Sequence, residues 1–268
     1  MIDDALLQDT IIRLYETEAD LRTLPRAVFD GVARLTAAEV VGYTEQHDAT
    51  HEFRALVSVD DDPATRARLM LAYARHMHSH PFWLRSAEFF GERALRTSDF
   101  FSEAEYAAQP IAQEALLPAG VRHSMAIVIP RNGYVLTVTA IRVVGRPAFS
   151  DAERDRLQGY RAHLSRCYQQ AQERTLARLA PAERLRHTFP SLTPRQLDVA
   201  AGIADGRSNE EIAAALGLSI ETVRAHAKQI YEKIGADGRH LAAVIAHTAT
   251  PFTRWPPLWT LDVGAWAG

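Results

Sequence analysis

The sequence predicts an α+β domain with an antiparallel sheet over roughly its first 180 residues, followed by an all-helical domain. Three observations carry this. Two apolar, strand-like runs, 124–129 and 134–144, flank Pro130-Arg131-Asn132-Gly133, where Asn-Gly supplies the positive φ of a tight hairpin. Helical periodicities stand on both sides of the strand-like runs, and three helix-start signatures follow one another closely after Leu192.

In order, 4–20 and 24–38 read as two helices, the first with Leu6, Leu7, Ile11, Leu14 and Tyr15 on one face, the second with Pro25 near its start. Strands are expected at 39–44 and 51–59, separated by a turn at Gln46-His47-Asp48. A helix over 63–78 leads to a loop at His80-Pro81, and 86–118 reads as shorter helices punctuated by Gly91, Pro110 and Pro118. After the hairpin, Phe149-Ser150-Asp151 starts a helix running to about Ala180. Its apolar positions Leu157, Tyr160, Leu164, Cys167 and Ala171 fit either packing on the sheet or a dimer seam.

Pro181 and Pro190 bracket a connector, 181–191, between a first domain, 1–180, and a second, 192–250; a tail, 251–268, holds Trp255, Trp259 and Trp266 among prolines. That tail cannot be a regular helix, and since exposed tryptophan is costly, docking onto a neighbouring domain or subunit is favoured over disorder.

In the second domain Thr193 reads as N-cap, Pro194 as the first helical residue, and Gln196 as the residue closing a capping box. That helix stops at Gly206. Ser208-Asn209-Glu210-Glu211 repeats the device for a helix of about two turns ending at Gly217, and a third helix starts from Ser219. Leu216-Gly217-Leu218-Ser219 is then the turn of a helix-turn-helix, and 239–248 a closing fourth helix. On the third helix Val223, Ala227, Ile230 and Ile234 share one face. At 100° per residue the opposite side carries Glu221, Ala225, Lys228 and Gln229, flanked by Thr222 and Arg224. Small Ala225 admits the backbone to a thymine methyl, while Arg224 and Lys228 reach guanine or phosphate.

These residues, Leu192-Thr193-Pro194-Arg195, Ser208-Asn209-Glu210-Glu211-Ile212-Ala213, Thr222-Val223-Arg224-Ala225-His226 and Tyr231-Glu232-Lys233-Ile234-Gly235, resemble the DNA-binding domain of LuxR/FixJ-type regulators. The resemblance implies a four-helix domain, double-stranded DNA as partner, a homodimer on inverted half-sites, and transcriptional control through RNA polymerase. The DNA-binding residues expected are Asn209, Thr222, Arg224, Ala225, His226, Lys228, Gln229 and Lys233. Two positions depart from the family: Gln196 stands where Glu is usual, and Gly238 where Ser or Thr usually precedes Arg239. Over 5–178 the order of elements resembles GAF or PAS sensors, which implies a small-molecule effector.

The formal charge is -3, and 193–250 carries six Lys or Arg against seven acids, so non-specific DNA affinity is expected to be modest. No apolar run approaches the ~20 residues that span a bilayer, and Met1-Ile2-Asp3-Asp4 lacks the features of a signal peptide. The expectation is a cytoplasmic protein without membrane contact. One cysteine, Cys167, excludes an internal disulfide and reads as a buried hydrophobe.

His76, His78 and His80 read as a polar loop in preference to a metal site, and no metal or other cofactor is expected. Trp83, Phe89, Phe90, Phe100 and Phe101 read as core, although a ligand cavity is built from the same residue types. No Walker loop, metal-binding helix pair, Ser-His-Asp spacing or Gly-rich dinucleotide turn marks an enzyme. A receiver domain would need an acidic pair ending a first strand, whereas this chain opens with a helix. An acyl-homoserine-lactone sensor is another sandwich of this kind, but its expected aromatic and Asp arrangement is not found.

Overall fold

The computed structural model describes residues 4–59, 71–72, 75–76, 82, 87–179, 185–186, 189, 191–235 and 257–260. The chain divides into two compact units, 1–172 and 173–268.

The first unit opens on α1 (Ala5–Glu16) and α2 (Leu24–Thr36). Asp4 starts α1 by accepting from the N–H groups of Leu6 and Leu7 at 3.1 and 3.2 Å, donors that a helix N-terminus otherwise leaves open. Leu14 on α1 and Val28, Val32 and Leu35 on α2 point inward and are buried.

Next come β1 (Val40–His47), β2 (Phe53–Val57), α3 (Ala87–Phe90), β3 (Leu95–Arg96), α4 (Glu103–Ala107), a π turn over Ala112–Leu116, β4 (Val121–Arg131) and β5 (Tyr134–Val143). The strands form one antiparallel sheet in the order β2-β1-β5-β4-β3. The expected hairpin is present: Arg131 pairs with Tyr134, and the two loop residues have φ of +51° (Asn132) and +78° (Gly133), both in the left-handed region a two-residue turn requires.

Two expectations need correction, and one open alternative is decided. β1 runs on through Gln46 and His47, so the turn falls at 48–51. Alternation continues with Glu45 and His47 buried; both are polar, and an apolar pattern therefore ends too early at Thr44. Residues 86–118 also contain β3, paired with β4 through Leu95–Ala126 and Arg96–Met125, which two residues were too few to reveal. The open alternative concerns α5 (Asp151–Arg178), whose start is fixed by Ser150 and Glu153: the Ser150 N–H donates to Glu153 at 2.8 Å and the Glu153 N–H donates to the Ser150 hydroxyl at 3.3 Å. Leu157, Tyr160, Leu164 and Ala171 are each 0% exposed and Cys167 is buried, all within a single chain. The stripe is core, and no dimer seam runs along it.

Tyr160 packs over Gly31 of α2, where a Cβ would stand 2.6 Å from the phenol oxygen, and Gly159 faces Leu7 of α1. One sheet face, with Val41, Tyr43, Leu136, Val138 and Ile127, is buried on this helical side. The other carries Ala126 and Val128 against Phe82, Phe90 and Leu95, with Phe89 and Phe100 packed alongside.

Arg142 ties one end of the sheet together. It is 4% exposed, donates to the carbonyls of Thr36, Pro147 and Ala148 at 2.8 to 3.1 Å, pairs with Glu153, and stacks on Phe149. The Thr36 carbonyl belongs to the last turn of α2, where a cation complements the helix dipole.

The second unit contains α6 (Pro194–Ala204), α7 (Asn209–Leu216) and α8 (Ile220–Ile234). Their shared core is Leu192, Leu197, Val199, Ala200, Ile212, Ala213, Val223 and Ile230. Gly202 on α6 permits the close approach of α7: a Cβ there would lie 2.7 Å from Ile212 Cγ1, and Ile212 is 1% exposed with nowhere to move. Gly202→Ala is expected to lower the melting temperature despite the ~1 kcal/mol that alanine gains over glycine in a helix interior. Overpacking costs about 1–3 kcal/mol and wins. An unchanged or raised melting temperature in calorimetry would show that Ile212 repacks freely.

Pro257 and Leu258 are buried at a short 3-10 turn, Leu258–Thr260, and Trp259 is partly buried. The expected helices at 63–78 (apart from helical residues at 71–72 and 75–76) and 239–248 lie outside the described residues, as do His78, His80, Trp83, Trp255 and Trp266. His76 Nε2 lies 2.9 Å from the Glu114 carboxylate, and among the described residues no three His, Cys, Asp or Glu side chains cluster as metal ligands would. No helix among them is long and apolar enough to cross a membrane.

Candidate nucleic-acid interface

Each of the three C-terminal helices starts on a side-chain cap. The Gln196 N–H donates to the Thr193 hydroxyl at 3.3 Å, and the Thr193 N–H donates back to Gln196 Oε1 at 3.1 Å. Ser208 and Glu211 close the second capping box, at 3.2 and 2.7 Å. Ser219 accepts from the Thr222 N–H at 3.1 Å. These bonds satisfy donors at the helix N-termini and fix where each helix begins.

Gly217, at φ +64°, ends α7 in the left-handed conformation, so the chain turns within Gly217-Leu218-Ser219. Arg195 of α6 donates to the Leu216 carbonyl at 2.5 Å, placing a cation on an open acceptor at the negative end of α7. The turn is thus held from inside by glycine geometry and from outside by an arginine.

On α8, Val223, Ala227 and Ile230 are buried, so the helix is fixed in rotation about its axis. Arg224, Ala225 and Lys228 are exposed, together with Glu221 and Glu232. Among the described residues neither Arg224 nor Lys228 has an ion-pair or hydrogen-bond partner, so both cations are available to an incoming phosphate or base edge.

The remaining expected site residues are placed differently. Thr222 is half-buried, with its hydroxyl 2.9 Å from that of Ser219. Asn209 is the first residue of α7 and is half-buried, while His226 is half-buried with Nδ1 enclosed and without a hydrogen-bond partner. Gln229 and Lys233 are exposed yet tied into the domain: Gln196 Nε2 donates to Gln229 Oε1 at 2.9 Å, and Lys233 Nζ donates to Gln196 Oε1 and the Ser191 carbonyl, both at 2.8 Å.

The network gives the amide at position 196 a chemical reason. Gln196, 3% exposed, accepts from Thr193 and Lys233 while donating to Gln229. A carboxylate could do the first but not the last. Sequence reasoning paired Gln196 with Thr193 but did not find Gln229 and Lys233, because these lie on another helix.

Comparison with known proteins supplies a family for this arrangement. The profile described as "Bacterial regulatory proteins, luxR family" matches residues 190–246. This segment is a LuxR-family helix-turn-helix domain. The chain is 40% identical over 70 residues to the transcriptional regulatory protein LiaR of Bacillus subtilis, covering 24% of this chain and 33% of that protein. It is 37% identical over 57 residues to the nitrate/nitrite response regulator NarP of Escherichia coli, covering 21% and 26%. The chain spans about a third or less of the length of these curated relatives.

Among solved structures, Escherichia coli SdiA aligns over 90% of this chain and 96% of its own, at 18% identity and a TM-score of 0.46. CepR2 of Burkholderia cenocepacia, titled an N-acylhomoserine-lactone-dependent LuxR-family factor, aligns over 64% and 96%, at 17% identity and a TM-score of 0.44.

Proposed function

We propose that this chain is a sequence-specific, double-stranded DNA-binding regulator of transcription, acting as a homodimer. The observation that carries the reading is the outward face of α8, where Arg224 and Lys228, without partners among the described residues, stand beside Ala225 opposite a buried Val223-Ala227-Ile230 stripe. A helix held in rotation by its core and presenting two free cations around a small residue has the chemistry of a major-groove reader. Arginine and lysine reach guanine O6 and N7, and a small side chain lets the backbone approach a thymine methyl.

Gln229 and Lys233 support the helix from its other flank, so their roles in this reading are structural first. Residues 1–172 form the sensing unit, with a small-molecule effector as input and RNA polymerase downstream of the DNA-bound form. The reading places the protein in the cytoplasm and gives it no catalytic role. Dimer contacts made by the sensing unit use a surface other than the buried Leu157-Leu164-Ala171 stripe.

The test is fluorescence anisotropy with duplex DNA. The full chain should bind random duplex at low salt with a shallow salt dependence, since the slope is about -0.9 per phosphate neutralised and α8 offers few free cations. On a selected operator, Arg224→Ala and Lys228→Ala should each weaken binding by about 1–3 kcal/mol while melting as the parent does. Parent-like operator affinity in both variants would remove this face of α8 from the interface. No salt-sensitive binding to any duplex would remove DNA as the partner.

A further inference from the structure

The cations of α8 are not all held alike. Arg224 and Lys228 stand without partners among the described residues, whereas Lys233, also exposed, is fastened by two oxygens, the Ser191 carbonyl and Gln196 Oε1, each 2.8 Å from Nζ. An ammonium has three N–H donors, so one remains for an acceptor from outside. Both oxygens are neutral, and among the described residues no carboxylate pairs with Lys233. Asp198, the acid carried by α6, lies 3.8 Å from Arg195.

Gln196 is what makes this charge both held and uncompensated. It is 3% exposed, and two donors, the Thr193 N–H at 3.1 Å and Lys233 Nζ, converge on its Oε1 while its Nε2 donates to Gln229. The amide therefore has one orientation, with its oxygen aimed at the ammonium. A carboxylate in the same place would hold Lys233 as well and cancel its charge. The amide holds it and leaves the charge whole, and a side chain already fixed has less freedom to lose when a partner binds.

Lys233 also stands where a groove-bound helix meets a phosphate backbone. It follows Arg224 by nine positions, which at 100° per residue sets the two about 180° apart around α8, one on either side of the outward line through Ala225. A helix about 10–12 Å across fills a major groove about 12 Å wide. With the Ala225 side toward the bases, its two flanks face the two sugar-phosphate walls.

We infer that Gln196 is a positioning residue for DNA binding: its neutral amide holds the Lys233 ammonium on the flank of α8 with its charge intact, and that ammonium takes one backbone phosphate. This rests on the DNA-binding reading of α8. It adds a residue that itself touches no DNA, and gives Lys233 a task beyond bracing the helix.

The experiment follows the anisotropy of one random duplex with the full chain over about 50 to 200 mM salt, for the parent, Lys233→Gln, Gln196→Glu and Gln196→Met. Loss of one phosphate contact lowers the salt slope by about 0.9, so across that range the affinity of Lys233→Gln should fall about threefold less than the parent's. Gln196→Glu should lose the same slope, because its carboxylate neutralises Lys233. It should nevertheless melt no lower than the parent, since glutamate closes the same capping box and gains an ion pair. Gln196→Met, which gives up the cap but adds no charge, should melt lower and keep the parent's slope. A merely structural role would make DNA binding follow the melting temperatures; here the two orders are opposite.

A parent slope in Lys233→Gln or in Gln196→Glu would overturn the inference, as would affinities of the two position-196 variants that track their stabilities. So would a Gln196→Glu protein melting well below the parent, which would mean that no ammonium stands beside the new carboxylate. A parent chain with no salt-sensitive binding would remove DNA as the partner and this role with it, so failure of the wider reading is told apart by the parent alone.

Discussion

Ile230→Ala is expected to unfold most of the DNA-binding domain and abolish operator binding without touching DNA. Ile230 is 0% exposed and belongs to the core joining α6, α7 and α8, with Leu197, Ile212 and Val223. Truncating such a residue to alanine removes its transfer free energy and leaves a cavity, together about 2–5 kcal/mol. A domain of this size has of the order of 3–9 kcal/mol in total, at about 0.05–0.15 kcal/mol per residue. The loss is therefore a large fraction of the whole. Amide exchange should show protection collapsing in α6–α8 while residues 121–143, in the hairpin of the first unit, keep theirs. The contrast with Lys228→Ala, two residues away on the opposite face of the same helix, separates folding from contact. If Ile230→Ala retained full protection in α8, the rotation assigned to that helix would be wrong, and with it the choice of Arg224 and Lys228 as the outward pair.

What the sequence revealed and what it concealed divide along the range of the interactions involved. Caps and turns are local. Thr193 with Gln196, Ser208 with Glu211, and Asn132 with Gly133 each fix a boundary through atoms at most three residues apart, so reading them needs no fold. The rotation of α8 was legible for a related reason: Val223, Ala227 and Ile230 repeat at helical spacing and nothing else competes for that face.

Long-range partners were hidden. Glu45 lies just beyond the expected strand and His47 in the expected turn, and the reason both are strand residues is distant in sequence: Arg54 crosses from β2 to pair with the first, and Tyr134 packs its ring on the second at 4.9 Å. Gln229 and Lys233, both expected as DNA contacts, are also held by Gln196, on another helix. The stripe on α5 shows the same limit, since burial against one's own chain and burial against a partner write the same spacing. Gly31, lying opposite Tyr160, marks it as core.

The second large effect concerns Glu45. Glu45 is 0% exposed on β1 and pairs with Arg54 of β2, whose guanidinium also donates to the Leu21 carbonyl at 2.6 Å and lies over the Tyr43 ring. Burial pushes the Glu45 carboxyl up and Arg54 pulls it back, with burial prevailing. Its second oxygen, Oε1, and the hydroxyls of Tyr43 and Tyr168 are buried without a well-formed hydrogen bond, although both phenols lie close enough to the carboxylate to help hold its charge. The pair is thus incompletely solvated by the protein, the circumstance in which a buried ion pair contributes little net stability although breaking it is expensive. Glu45→Leu alone should cost about 3–5 kcal/mol, because Arg54, with a side chain only 20% exposed, keeps its charge and loses its counter-ion. Glu45→Leu combined with Arg54→Met removes both charges and should recover much of that loss, leaving the double variant more stable than the Glu45 single variant. Urea denaturation followed by the near-ultraviolet signal of the first unit gives the four corners of the cycle, with comparisons confined to variants of equal m-value. A double variant as damaged as the sum would show that Arg54 is retained for its bond to Leu21, which joins the edge strand to the segment between α1 and α2, and not for its charge opposite Glu45.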